Sequence, residues 1–421
     1  MSQPHRVHVV GAGLAGLAAA LTLAQSGVGV VLHEAAPQAG GRCRSYVDAK
    51  LGCRIDNGNH LLLAANRAAM RYIDLIGARA TLTGPGVAEY PFLDRATGER
   101  WVLRPNAGKI PWWVLAPSRR VRGTSPFSYL PARRLMQAPA QAVVTEILDP
   151  AATIFRRLWQ PLAVAALNTE AEAGSARLFG EVVRQSLGQG GAACIPLLPR
   201  EGLSETLIDP ALGKLSTAHG AFRTGSRLRS LAFESDRLAA LDFDGGVETV
   251  LEGEAAILAV PAPIAARLLP DLVAPDEFRA IVNAHYRIAM HGDAPWFVGV
   301  IGGTAEWVFR KPEILSVTVS AADRLIDMPA EELAPILWRD VAAAFDLAAE
   351  PMPPWQIVKE KRATFAATPA QLQRRPKAAT RWTNLALAGD WTDTGLPATI
   401  EGAIASGFAA ADLLLGRAES R

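Results

Sequence analysis

Apolar and polar positions are patterned most sharply at the two ends of the chain. Val7-His8-Val9-Val10 is a short β-branched run that stops at a glycine turn, and Leu17–Ser26 follows as an Ala- and Leu-rich stretch broken at Gly27. A second apolar run, Val28-Gly29-Val30-Val31-Leu32-His33-Glu34, comes next. Strand, helix and strand in this order predict a β-α-β unit, and its crossover implies a parallel sheet.

From about residue 84 the periodicity weakens. Residues 84–140 are rich in Pro, Arg and Trp, and 139–190 read as mainly helical. Strand-like runs return at 221–224, 228–233 and 238–243, then at 255–260, where Pro261 ends the run. Residues 266–358 mix strands (296–300 and 316–320) with a helix near 329–345. The chain closes on an apolar strand at 385–388, the pair Gly389-Asp390, a helix from Ile400 to Leu415 and a tail from Gly416 expected to fray. The pattern predicts an α/β fold. A discontinuous Rossmann-like nucleotide domain is built from 1–83, 205–265 and 359–421, and an inserted α+β substrate domain from 84–204 and 266–358.

Composition narrows the function class. With 421 residues, half of them hydrophobic, the chain has material for two cores. A formal charge of +2 gives no basic face of the kind nucleic-acid binders carry. Cys43, Cys53 and Cys194 are too few and too scattered for a disulfide framework or a zinc site, and the histidines form no metal constellation. A reducing cytoplasmic compartment is expected, without a targeting segment and without a bound metal. No uncharged apolar run reaches the roughly 18–20 residues that cross a bilayer.

Four motifs carry chemistry. In Gly11-Ala12-Gly13-Leu14-Ala15-Gly16, the first glycine allows a tight turn, the second lets backbone approach a pyrophosphate, and the third lets the helix pack on the strand. Glu34 ends the next strand, where an acidic side chain accepts a ribose hydroxyl. Gly40-Gly41-Arg42 offers close backbone approach and a guanidinium for phosphate. Asp56-Asn57-Gly58-Asn59-His60 is a polar knot that reads as a turn with a helix cap, and its His60 is a candidate proton donor, with packing or contact with the flavin as the alternative role. Gly389-Asp390-Trp391 opens a small-residue loop through Pro397-Ala398-Thr399 into the last helix. The N-terminus of that helix suits negative charge on a reduced flavin, and Asp390 suits a ribityl chain.

Met in this order, Gly11-x-Gly13-x-x-Gly16, Glu34, Gly40-Gly41-Arg42 and Gly389-Asp390 resemble the flavin amine oxidase and phytoene desaturase superfamily. The resemblance implies FAD, contacted also by Leu14, Ala15, Ala35, Asn57, Gly58, Asn59, Pro397, Ala398, Thr399 and the backbone at Leu228 in Gly225–Leu231. Three more particular segments are Asp56–Leu61, Trp159-Gln160-Pro161-Leu162 with Leu167-Asn168-Thr169 and Ser175-Ala176, and Gly389–Glu401. Together they resemble the squalene-associated FAD-dependent desaturases, understood as hydroxysqualene dehydroxylases of bacterial hopanoid synthesis. That family implies loss of a hydroxyl as water and arrival of a hydride from reduced FAD, with His60 as the donor to the leaving water and Asp393 as second choice. No cysteine lies near the C-terminal flavin segment, so noncovalent FAD is expected. The rival readings are an oxidative carotenoid-type desaturase, an amine oxidase and a non-enzymatic lipid carrier.

The insert bears on the substrate. Trp101, Ile110, Trp112, Trp113 and Leu115 precede Arg119, Arg120 and Arg122, then Phe127, Tyr129, Leu130, Arg133 and Arg134. Aromatic and cationic residues interleaved over 101–134 suit an anionic membrane interface. A hydrophobic isoprenoid substrate, peripheral contact with the inner face of the membrane, and squalene-synthase-like enzymes upstream are the expected partners. A tryptophan-rich core with surface arginines is the competing explanation.

Overall fold

The predicted β-α-β unit is β1 (Arg6–Val10), α1 (Leu14–Gln25) and β2 (Gly29–His33). In the computed structural model, which describes residues 3–290 and 292–417, β1 and β2 pair in parallel with Val7 opposite Val30. The far end of the tail expected to fray lies outside the described residues. Val7 and Val9 are fully buried, as is nearly every residue of α1 from Leu14 to Leu23, because helices cover the sheet. The parallel sheet runs Ala221–Arg223, β2, β1, Glu254–Leu258, Leu385–Leu387, so three distant pieces of chain share it.

A second sheet of seven strands takes its members from both inserted pieces, from Tyr90–Asp94 and Arg100–Leu103 to Phe278–Arg287 and Trp355–Phe365. The helix Ala330–Ala344 packs on it through Leu333, Leu337, Trp338 and Val341. One stretch departs from the pattern reading. Residues 359–365 were expected in the nucleotide part, but they continue the strand that pairs with Phe278–Arg287, closing on Phe365 opposite Phe278. With no glycine, proline or other turn residue at 359–365, the strand has no signal to stop there, although Lys359–Arg362 are charged.

The strand Pro196–Pro199 joins the two halves, pairing with Leu62–Leu63 on one side and Leu82–Thr83 on the other. Among the described residues no helix is long and apolar enough to cross a membrane.

Candidate functional site

The glycine turn is shaped from both sides. Gly11 takes φ +108°, and a Cβ there would sit 2.4 Å from the carbonyl oxygen of Ala259 on the neighbouring strand. Gly13 is the opposite case: a Cβ would meet nothing within 4 Å, so its outer face is open. α1 starts there without a side-chain cap and without an acidic residue in its first turn, at Leu14, Ala15 and Gly16. Those amides are left free for an anion, with the positive end of the helix behind them. Gly40 and Gly41 cross in front of the turn, where the Gly40 N–H donates to the Ala12 carbonyl at 2.8 Å.

Glu34 reaches back from the end of β2. Its carboxylate accepts from the Ala12 N–H at 2.9 Å and the Ala36 N–H at 2.8 Å, which leaves acceptor capacity on both oxygens for a ribose. Ala35 beside it is exposed. The Ser226 N–H donates to the Glu34 carbonyl at 2.8 Å, and this brings Leu228, the buried first residue of the next strand, to the same edge.

Arg42 differs from its expected role. Its guanidinium is engaged by the protein, donating to Asp390 Oδ1 at 2.8 Å and to the carbonyl of Ala363. The Asp390 charge holds Arg42 more firmly protonated. Arg42 thus ties the glycine loop to the C-terminal segment rather than standing free for phosphate. The C-terminal loop has a centre that sequence reasoning missed. Arg375 is buried and donates to the carbonyls of Leu396 (2.8 Å), Asp390 (3.2 Å), Trp391 (3.4 Å) and Thr392, while its plane lies over Phe365. Burial pushes its pKa down to about 10. The Gly389 N–H donates to Ser406 Oγ, and Trp391 folds inward to bond the Val260 carbonyl at 2.9 Å. Pro397, Ala398 and Thr399 lead into the helix Ile400–Leu414, which Thr399 caps by accepting from the Gly402 N–H at 3.1 Å. Asp393, the second-choice donor, is exposed, accepts from the Gly395 N–H in its own turn and does not line the cavity that holds His60.

The polar knot caps no helix. Cys53–Asp56 is a strand, Asn57–Leu61 a loop, and the next helix, Arg67–Ile76, begins after Asn66. Tertiary bonds hold the knot instead. Asp56 is buried and pairs with Lys311, while its other oxygen accepts from Ser45 Oγ (2.5 Å) and the Leu203 N–H (2.9 Å). Burial pushes the Asp56 carboxyl up, yet Lys311 and these donors hold it below the ordinary carboxylate range. Asn57 accepts at its carbonyl from Asn283 Nδ2 at 3.3 Å, and Gly58 packs on the same amide. Thr318 Oγ1 donates to Asn283 and is contacted by Asn59 Nδ2 at 3.2 Å. Asn59 Oδ1 is buried and has no hydrogen-bond partner among the described residues.

His60 and Asn59 line a cavity of about 250 Å³, together with the charged Asp56, Lys311, Arg310 and Arg200 and the apolar Leu198, Trp296 and Phe309. Burial pushes the His60 pKa down to about 4, so the imidazole is neutral at neutral pH. Asn168 and Thr169 do not reach this cavity. Asn168 is spent on Thr364 (2.9 Å), Arg279 and the Ala321 N–H (2.7 Å), and Thr169 accepts from the Ala367 N–H, so both clamp the helical insert to the second sheet. Asn283, Lys311 and Arg375 gave no motif signal: Asn283 is one polar residue in a strand, Lys311 follows Arg310, and Arg375 is one of several polar residues in Gln373–Lys377.

Comparison with known proteins agrees with this geometry. Residues 14–290 and 295–415 match the family described as flavin containing amine oxidoreductase. A hydroxysqualene dehydroxylase of Rhodopseudomonas palustris is 50% identical over 98% of this chain and 99% of its own length. One of Sinorhizobium fredii is 46% identical over 98% and 99%. Among solved structures, a putrescine oxidase bound to putrescine superposes with a TM-score of 0.70 at 16% identity, covering 99% of this chain and 100% of that one, which is a likeness of fold.

Proposed function

We infer the activity from membership: the chain belongs to the flavin containing amine oxidoreductase family, and within it to the hydroxysqualene dehydroxylases. It is a flavin-dependent oxidoreductase that converts hydroxysqualene to squalene. In that reaction the C–O bond breaks, the oxygen leaves as water with one added proton, and a hydride forms the new C–H bond. The alcohol carbon is reduced by two electrons. Bound FAD, when reduced, supplies that hydride. Glu34 and the open amides of α1 suit its adenosine and pyrophosphate, and the unpartnered Asn59 Oδ1 suits an N–H of its ring. The flavin is held noncovalently. Cys43, the cysteine beside Arg42, is buried, and burial pushes its thiol up to about 12, so it is no nucleophile at neutral pH.

The single observation that carries the substrate reading is the cavity beside His60, lined by both charged and aromatic side chains. The Phe309 ring lines this cavity and suits positive charge left on carbon when the hydroxyl departs, whereas the Trp296 ring carries the Arg310 guanidinium over its face. Neutral His60 donates a hydrogen bond to the leaving oxygen, rather than acting as a charged acid. Lys311 is the cavity cation with a proton to give, because guanidinium groups stay protonated. The test is anaerobic turnover of the reduced holoprotein with hydroxysqualene, followed by product mass analysis. Squalene with one flavin oxidised per product is expected. Failure to form squalene, together with desaturation of phytoene by the oxidised protein, would reverse the direction of the chemistry.

A further inference from the structure

The segment from 105 to 145 holds Lys109, Arg119, Arg120, Arg122, Arg133 and Arg134 and not one acidic residue, in a chain whose net charge is only +2. The same segment concentrates apolar exposure. Of the twelve exposed large hydrophobic side chains among the described residues, Ile110, Trp112, Leu115, Phe127 and Leu130 fall within 110–130. Ile110 and Phe127 are 79% and 78% exposed.

These side chains are presented on a firm base. Trp113 is buried and meets Tyr129 edge to face with ring centroids 5.0 Å apart, so the turns Trp112–Leu115 and Pro126–Tyr129 are pinned together. Buried Asn106 donates to the Gly108 and Ile110 carbonyls (2.9 and 3.0 Å) and accepts from the Trp113 N–H, which shapes the loop between them. Arg119 lies over the Trp112 ring. Expected together as interface residues, Trp101 and Trp113 are core, and Trp112 faces outward. The patch is also tied through the chain to the reaction cavity. The Gly191 N–H donates to the Asn106 carbonyl at 2.7 Å, and the chain from Gly191 runs directly into Pro196–Pro199, whose Leu198 and Pro199 line that cavity.

We propose that this face, Ile110, Trp112, Leu115, Phe127 and Leu130 within a ring of Lys109, Arg133 and Arg134, docks on a bilayer bearing anionic lipids. Apolar side chains held outward by a buried aromatic base insert at the acyl boundary, and the cations meet the headgroups. Unmatched positive charge favours an anionic lipid surface over a second copy of the same cationic face. The proposal rests on the hydroxysqualene reading for its purpose, delivery of an apolar substrate, but not for its physical basis.

The test is co-sedimentation of the flavin-loaded protein, without substrate, with phosphatidylcholine vesicles and with vesicles of phosphatidylcholine and phosphatidylglycerol. The wild type sediments with the anionic vesicles, less so in high salt, and stays in solution with the neutral ones. I110S/F127S and R133E/R134E each lower anionic-vesicle binding by about tenfold or more while the flavin spectrum is kept. A wild type that ignores anionic vesicles, or variants that sediment as it does, overturns the proposal. So does a patch variant that splits a dimer in light scattering and leaves vesicle binding unchanged. If a variant loses its flavin, the wild type's own lipid and salt dependence decides. Because no turnover is read, failure of vesicle binding is separate from failure of the dehydroxylase reading.

Discussion

His60 was legible as a candidate because a histidine beside Asn-Gly-Asn is not explained by a turn alone. Its protonation state was not legible, because burial sets it. A donor held neutral at neutral pH orients the leaving oxygen without supplying a full proton, so His60→Ala is expected to lower kcat by about tenfold to a hundredfold. Its pH profile should keep the wild-type shape. Lys311→Met should instead lower kcat well beyond the His60→Ala loss, with Lys311→Arg as the control that keeps the Asp56 pair. A changed pH profile in His60→Ala would restore it as the acid. The buried histidines also shape stability. Burial pushes His33 and His285 down to about 4, below the ordinary histidine value of 6.5 in the unfolded chain. The unfolded state therefore takes up protons first as pH falls, and stability drops between 6.5 and 4. Each contributes a loss on the order of 2 kcal/mol at about pH 5. Thermal melting across that range checks this, and a flat Tm would refute it. At the same scale, Asn59→Leu removes the unpartnered acceptor and is expected to shift the flavin absorption and weaken retention on gel filtration.

At the scale of elements, local signals were read well and long-range ones were not. The glycine turn, Glu34 and the Gly389-Asp390 loop announce themselves because neighbouring residues carry the whole requirement. Arg375 does not. It lies beside no motif, and only folding places it under the carbonyls of residues 390–396. Arg375→Met strips a charged donor from several buried carbonyls and should cost about 3 kcal/mol, with loss of flavin. Arg375→Lys should recover part of both, as read by Tm and by the absorbance ratio of flavin to protein. Glu401 behaves alike across elements. From the last helix it accepts from the Ala68 and Ala69 N–H groups (2.9 and 2.8 Å), capping Arg67–Ile76, a helix whose own Asn66 makes no side-chain cap. Glu401→Ala should cost about 1 kcal/mol. The Trp-rich insert was ambiguous for a related reason. Composition cannot separate Trp112 from Trp113, since adjacent residues on a tight turn face opposite sides and only the packing of Tyr129 selects which is buried.

Over the whole molecule, the discontinuous sheet was readable from recurring apolar strands, but what locks its first and last pieces together was not. α1 and the helix Ile400–Leu414 cross where Gly407 faces Ala15, and a Cβ at 407 would lie 2.1 Å from the Ala15 carbonyl oxygen and 3.0 Å from the Ala18 side chain. Ala15 sits in the first turn of α1, whose open amides are proposed to take the pyrophosphate, and Ile400 begins the helix entered from the Gly389–Thr399 loop. The closeness of this crossing therefore sets the distance between the two segments proposed to hold the flavin. Gly407→Ala must push one helix axis off the other, because the obstacle is backbone, and overpacking of this kind costs about 1–3 kcal/mol. Flavin dissociation should quicken in parallel, since each of the two helices begins at one end of the proposed flavin site. Gly213→Ala is the matched control: it lies within the helix Asp209–Thr217 with nothing within 4 Å of the added methyl, and should raise stability by about 0.5–1 kcal/mol with flavin release unchanged. Stopped-flow release and thermal melting of the two variants together separate a general glycine effect from spacing. If Gly407→Ala melts lower but releases flavin at the wild-type rate, the crossing supports the fold without setting the geometry of the site.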